Sequence, residues 1–570
     1  MTMTAETTSF LQVRQRRPRA TVGSISSGAV KSRVYVAMAA FVFVYLAIGG
    51  RLVLLAQMDE APSSAWISAQ DSVAASRPDL IDRNGEILAT DIKTASLYAE
   101  PRRILDVDEA VEGLMKVLPE LDANVVRRRL DSRAGFVWLK RELSPGQADA
   151  VHDLGLPGIG FLSESQRFYP GGPTAGHIVG SVNVDNAGLT GIEKYIDGEW
   201  LGDLQDLGFA SDRSMEPVQV AMDLRVQHVV RDELMKAMDR YKAIAAVGIV
   251  LDVKTGEVVA MSSLPDYDPN NRSQALEQDR LNRATGGVFE MGSVFKTFTT
   301  AMALDSGKVG INDSFDATRP IRAGGRTITD FHGKNRILSV PEIFIYSSNI
   351  GTAKMMLATG IDKQQEFLGR LGLTSRLQTE LPENARPLLP PKWNELAAMT
   401  ISFGHGISVT PMQTAVAAAA LVNGGTLLQP TFLPRSQEEA KELGKQVISP
   451  ETSRIMRYLF RLNVLRGSGR RSDVPGYTVG GKTGTAEKIE NGRYVSDKRR
   501  NSFLSAFPMD DPRYVVLTVI DEPKPERSGV GATAGMNAAP MVGAIIRRAA
   551  PMLGVMPRFG EGEEPIEISY

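Results

Sequence analysis

Residues 286–304 read GGVFEMGSVFKTFTTAMAL, a glycine-rich entry running into an apolar helix. Ser293 falls near the start of that helix and Lys296 three residues later, so the two side chains share one helix face. A serine hydroxyl is a poor nucleophile until a neighbouring base takes its proton, and a lysine held close and stripped of water can do so. A helix N-terminus also favours negative charge as it develops. Taken alone, SxxK is a weak signal, because chance supplies about a couple in a chain of this length.

Two later segments change its weight. IYSSNIGTAKMM (345–356) places Ser347 two residues before Asn349, in a loop that leads into a helix. SxN is also common, and Ser181-Val182-Asn183 is a second copy upstream of Ser293. Taken by itself, Ser347 reads equally well as a helix N-cap or turn serine. KTG occurs twice. In IAAVGIVLDVKTGEVVAMSSLP (244–265) it lies between two apolar runs, where a hairpin reverses and Gly256 supplies the positive φ. In YTVGGKTGTA (477–486), glycines and small residues run along a strand, which weakens it unless something approaches the backbone closely. The second copy, Lys482-Thr483-Gly484-Thr485, is therefore the site candidate, and Lys254 belongs to a turn.

Ser293-x-x-Lys296, Ser347-x-Asn349 and Lys482-Thr483-Gly484 stand in the order used by penicillin-reactive serine enzymes. With LPDYDPNN (264–271), NRATGGVFEMGSVFK (282–296), YSSNIG (346–351), FGHGISVTPMQ (403–413) and GGKTGTAEK (480–488), residues 225–550 resemble the transpeptidase domain of class B penicillin-binding proteins. DRNGEILA (82–89), RFYPGGPTAGHIVGSV (167–182) and GLTGIEKYIDGEWLG (188–202) resemble the pedestal module of that family. The whole chain is most similar to its division-specific members.

The resemblance implies an α/β multidomain fold with a transmembrane helix, an α+β pedestal and a transpeptidase domain in which helices sandwich an antiparallel sheet. It implies a D,D-transpeptidase that cross-links peptidoglycan stem peptides in the septal wall and is acylated by β-lactams. Ser293 is then the nucleophile and Lys296 its base. Ser347 and Lys482 pass a proton to the leaving D-alanine, and Asn349 holds the substrate peptide. Thr483, Gly484 and Thr485 line the carboxylate end, and the backbone N–H groups of Ser293 and Thr485 form the oxyanion hole. No cofactor or metal is required. The chain has Met291 and Val294 where relatives carry Pro and Thr, Pro78 where Gly is usual, and His405 where Tyr is common. None of these exchanges a reacting atom, and His405 reads as a packed or hydrogen-bonded residue.

Other readings share the same motifs. A hydrolytic relative needs a means of activating water, and ELPEN (380–384) matches the ExxLN pattern of such enzymes in letters only. A bifunctional synthase needs a glycosyltransferase module, and the sequence before residue 220 resembles none. A membrane-anchored sensor that binds β-lactams without turnover is compatible with every motif.

The bulk composition agrees with an ordinary folded protein of two or three domains: 570 residues, 43% hydrophobic, 23% charged. The 65 basic and 66 acidic residues nearly cancel, so nothing overall points to nucleic acid. There is no cysteine, which excludes disulfides and thiolate ligands, and the five histidines show no metal-binding spacing. Residues 1–33 are basic and polar and read as a disordered cytoplasmic tail. Val34 to Gly50 carries no charge, and Leu52 to Ala56 extends the run past Arg51. About 20 apolar residues cross a bilayer, so 34–56 reads as one transmembrane helix. Its basic flank stays in the cytoplasm, placing the remainder in the periplasm of an inner membrane. The expected domains are a pedestal over 60–220, a transpeptidase domain over 225–555 and a flexible tail over 556–570. Implied partners are stem peptides, β-lactams, an FtsW-type glycan polymerase and other divisome membrane proteins. The small residues Ala37, Ala40, Ala47 and Gly50 could admit a second helix, or could simply face lipid.

Overall fold

The apolar runs around the first KTG form the centre of a sheet. In the computed structural model, which describes Met38, Val42, Phe43, Tyr45, Leu46, Ile48 and residues 77–199, 216–490, 492–527 and 531–559, the described residues from 77 onward form one compact unit. The expected transmembrane helix lies outside the described residues apart from those six, which are helical and exposed; the basic tail and residues 560–570 lie outside entirely. Among the described residues no helix is long and apolar enough to cross a membrane.

The pedestal begins with β1 (Leu80–Ile81), whose reversal at Asn84-Gly85 into β2 (Ile87–Ala99) carries Gly85 at φ +89°. β2 pairs antiparallel with β3 (Val137–Leu143) and β4 (Ile159–Phe168). The helices α1 (Val107–Val117) and α2 (Ala123–Leu130), each N-capped by an aspartate, contribute Val111, Leu114, Val126 and Leu130 to the core on that sheet. β5 (Val218–Gln219) returns parallel to β1. A buried ion network ties the module to the segment before it: Arg167 Nε donates to Glu193 Oε1 (2.7 Å), and Arg77 Nε donates to Glu193 Oε2 (2.8 Å). Two unpaired guanidinium groups would be costly at such burial, and the shared carboxylate offsets that cost.

The transpeptidase module is a five-stranded antiparallel sheet. Its strands are β6 (Ala245–Asp252), β7 (Val258–Leu264), β8 (Gly480–Glu490), β9 (Arg493–Phe507) and β10 (Tyr514–Asp521), in the order β8-β9-β10-β6-β7. β6, β7 and β10 are buried along their whole length, as strands covered on both faces must be. Side chains alternate between two cores: Val247, Ile249 and Leu251 face one, and Ala246 and Val250 the other. The second core is closed by α3 (Leu224–Tyr241), whose Val226, Val230 and Leu234, four residues apart, are buried with Met238 packed against them, and by the C-terminal helix α9 (Ala538–Ala549). Gly248 is required there, because a Cβ would stand 2.6 Å from Val230 Cγ1. The first core is closed by α4 (Phe295–Asp305), α5 (Val340–Tyr346), α6 (Asn349–Thr359), α7 (Pro411–Val422) and α8 (Pro450–Arg466).

Two consequences position the site. The first KTG lies at the β6–β7 turn, with Gly256 at φ +75° and Lys254 ion-paired to Asp511 at 3.0 Å on the surface. The second lies on β8, an edge strand. Its outer edge faces the turn before α4.

Candidate active site

The nucleophile candidate sits on a tight turn rather than inside the helix. Residues Gly292–Val294 form one 3-10 turn before α4, with Gly292 at φ +54°. A Cβ on Gly292 would meet Thr485 O at 2.7 Å, and one on Gly404 (φ +88°) would meet Gly292 O at 2.0 Å. The turn is thus clamped between the outer edge of β8 and the FGHG segment, and only glycine fits at either contact. Ser293 projects half-buried from this clamp, and its hydroxyl makes no hydrogen bond within the described residues.

Beneath it, Lys296 is buried within the first turn of α4. Its Nζ donates to Ser347 O at 2.5 Å and lies 3.0 Å from Ser347 Oγ. Lys482, on the face of β8, is also fully buried, and its Nζ stands 3.0 Å from the same Ser347 Oγ and 3.3 Å from Thr483 O. Ser347 therefore bridges two lysines contributed by different elements. It occupies the left-handed region (φ 57°, ψ 43°) as the C-cap of α5, which aims its hydroxyl and carbonyl at the lysines. The next residue holds that turn in place. Ser348 Oγ N-caps α6 through Gly351 N–H and donates to Asp330 Oδ2 at 2.7 Å, while Asp330 Oδ1 accepts from Ile350 N–H. Asn349 is half-buried, with its Nδ2 donating to Thr329 O at 2.8 Å.

Electrostatics follow from burial. Desolvation pushes Lys482 down to about 7. Lys296 lies well below the ordinary lysine range, because of its burial and then of the Lys482 charge, with Asp330 opposing. Two ammonium groups meeting on one hydroxyl at such burial are costly, which is why both nitrogens are held below the ordinary lysine range. His405 is held at about 4 by burial and by Lys296, and its ring packs between Phe403 and Tyr494. It is a neutral wall of the cleft, as its sequence context suggests.

The strand register completes the site. In an antiparallel strand the N–H and C=O of one residue share an edge, and alternate residues turn to opposite edges. Asn463 Nδ2 takes Gly481 O from the outer side, and Gly292 abuts Thr485 O. Gly481, Thr483 and Thr485 therefore direct their backbone groups away from β9. The Thr485 N–H opens onto the turn that carries Ser293, and the Thr483 hydroxyl lies 2.6 Å from Ser468 Oγ. All the residues expected from sequence converge here: Ser293, Lys296, Ser347, Asn349, Lys482, Thr483, Gly484 and Thr485. Lys254 and the Ser181–Asn183 copy do not. Asp330, Asn463 and Ser468 are additions that carry no local signature. Among the described residues no group of side chains is disposed to hold a metal ion.

Comparison with known proteins gives a consistent set of matches. Residues 246–547 match the penicillin binding protein transpeptidase domain and residues 72–202 the penicillin-binding protein dimerisation domain. A probable peptidoglycan D,D-transpeptidase FtsI of Caulobacter vibrioides is 40% identical over 495 residues, which span 85% of this chain and 82% of that one. The peptidoglycan D,D-transpeptidase FtsI of Escherichia coli is 30% identical over 510 residues, 85% of each. Among solved structures, penicillin binding protein 3 from a Mycobacterium, complexed with aztreonam, superposes with a TM-score of 0.65 at 23% identity, covering 85% of this chain and 97% of that one. The transpeptidase domain of Burkholderia pseudomallei penicillin-binding protein 3 gives 0.54 at 30% identity, covering 60% and 97%.

Proposed function

The chain belongs to the penicillin-binding protein transpeptidase family, and we infer from that premise and from its site that it is a division-type peptidoglycan D,D-transpeptidase. It cross-links stem peptides in the septal wall through a serine acyl-enzyme and is inhibited by β-lactams. The observation that carries the mechanism is the meeting of two buried lysines on Ser347 Oγ, next to a serine clamped against an edge strand.

In our reading the donor peptide lies along the outer edge of β8 beside Thr483, between the Asn463 and Gly292 contacts. Ser293 Oγ attacks the carbonyl between the two terminal D-alanines and its proton passes to the Lys296 lone pair. The oxyanion takes hydrogen bonds from the Ser293 and Thr485 N–H groups, each worth about 3 kcal/mol in sites of this kind. The C–N bond breaks as the amine of the departing D-alanine receives a proton through Ser347 and Lys482. An amine from a neighbouring stem then attacks the Ser293 ester, its surplus proton returns through the same groups, and Ser293 is restored. Asn349 steadies the donor peptide, and Lys482, Thr483 and Thr485 take its carboxylate. A β-lactam acylates Ser293 but keeps its leaving nitrogen tethered.

The charge-free run over 34–50 behind a basic tail supports a single-pass anchor with the catalytic module in the periplasm. We assign the anchor and pedestal to contacts with an FtsW-type polymerase and other divisome membrane proteins. The test of the activity is purified full-length chain with a donor peptide ending in D-Ala-D-Ala and an amine acceptor. D-alanine release coupled to donor–acceptor product, both absent in Ser293→Ala, is the expected result. Release without transferred product would indicate a hydrolase, and neither product a binding protein.

A further inference from the structure

On the outer edge of β8 stands a side chain that belongs to none of the three signatures. Asn463, on α8, is fully buried. Its Nδ2 donates to the carbonyl of Gly481, the residue before Lys482, at 2.7 Å. Its Oδ1 accepts from Ser468 N–H at 3.2 Å and lies 3.4 Å from Ser468 Oγ. Its backbone carbonyl accepts from Gly467 N–H (2.9 Å) and Gly469 N–H (3.3 Å). One amide thus joins the edge strand to the loop over residues 467–469. That loop passes directly over it: a Cβ on Gly467 would stand 2.2 Å from Asn463 Oδ1, and one on Gly469 3.3 Å from Nδ2.

The consequence is felt at Ser468. It is exposed, and its hydroxyl stands 2.6 Å from the buried Thr483 hydroxyl. Two hydroxyls so close share one hydrogen: when Ser468 donates to Thr483 the Thr483 hydrogen is free for a ligand, and when Thr483 donates to Ser468 the Ser468 hydrogen can turn to Asn463 Oδ1 or outward. Beside them lies Lys482. An amide is the group this position requires. It donates to one element and accepts from the other, whereas a carboxylate cannot donate to Gly481 O and an alkyl group strands both partners.

We propose that Asn463 is a positioning residue for recognition of the substrate's terminal carboxylate, setting the 467–469 loop against β8 so that the Ser468 and Thr483 hydroxyls form one anion pocket with Lys482. The proposal rests on the reading of Lys482, Thr483 and Thr485 as the carboxylate end of the site.

The test uses the full-length chain in detergent with benzylpenicillin and its methyl ester, each competed against a fluorescent penicillin to give a second-order acylation rate constant. Wild type prefers the carboxylate. Asn463→Ala lowers the benzylpenicillin constant about tenfold, as loss of hydrogen bonding to a charged group does, and leaves the ester constant nearly unchanged. The loss falls on non-covalent binding rather than on the acylation rate at saturation. General loosening of the site would slow both probes alike. Ser468→Ala, at an exposed position that does not threaten folding, shifts the ratio in the same direction by a smaller factor. Asn463→Ala with the wild-type ratio overturns the proposal; if that variant does not fold, Ser468→Ala with the wild-type ratio overturns it. A wild type without preference for the carboxylate refutes the underlying reading of Lys482 and Thr483, and the proposal with it.

Discussion

Replacing Lys482 by methionine, a chain of similar length and volume, is expected to abolish acylation and at the same time to stabilise the protein. Burial holds this ammonium at about 7 against an ordinary value of 10.5. At about 1.36 kcal/mol per pH unit, that difference amounts to roughly 5 kcal/mol of unfavourable burial. The variant forfeits two hydrogen bonds, to Ser347 Oγ and Thr483 O, at about 1.5 kcal/mol each, leaving a net gain of about 2 kcal/mol. The sign with pH is fixed by linkage. A base whose folded value is depressed binds more protons unfolded than folded between about 7 and 10.5. The penalty is therefore complete below about 7 and fades as pH rises, so wild type gains stability on that side while the variant does not. Thermal unfolding of wild type and Lys482→Met in detergent, followed at pH 6 and pH 9, reads this directly. The variant should melt several degrees higher at pH 6, with the gap narrowing at pH 9, and should take up no fluorescent penicillin. A variant less stable than wild type at pH 6, or a gap that widens with pH, would refute the reasoning.

Three further outcomes follow from the geometry. Lys254→Ala removes only an exposed ion pair with Asp511, and should leave labelling at the wild-type rate and stability within about 1 kcal/mol, measured by labelling time course and melting. Ser347→Ala keeps the backbone carbonyl for Lys296 but deletes the hydroxyl shared by both lysines. The saturating acylation rate should fall by about 10²–10³, the usual size of a general acid–base contribution, with little change in non-covalent affinity. Gly404→Ala drives a Cβ to 2.0 Å from Gly292 O at a position with φ +88°. It should cost more than about 2 kcal/mol in unfolding experiments and slow acylation, because the displaced group is the turn under Ser293.

The site was legible in the sequence to the extent that its chemistry is local. SxxK places two groups on one turn, SxN on one loop-to-helix junction, and KTG on one strand, and the order of the three narrows the reading further. The two KTG copies were separable because Gly256 closes a turn between apolar runs, whereas Gly480, Gly481 and Gly484 weaken a strand that only close packing can justify. What the sequence did not carry is the long-range support. Asn463 reaches Gly481 across eighteen residues and Asp330 reaches Ser348 across the same span; neither has a neighbour pattern that distinguishes it from an ordinary helix or loop residue. The left-handed backbone of Ser347 is likewise imposed by its surroundings, since serine has no intrinsic preference for it. In the pedestal, Arg77, Arg167 and Glu193 look like surface charges until the fold brings them together in the interior.

The claim on which everything else depends is that Ser293 is the residue acylated. Treating the full-length protein with benzylpenicillin and sequencing its proteolytic peptides by mass spectrometry tests it most directly. The account predicts one penicilloyl adduct, on the peptide containing Ser293 and at that residue, absent from Ser293→Ala. An adduct on any other serine, or a folded wild-type protein that acquires none, would contradict it.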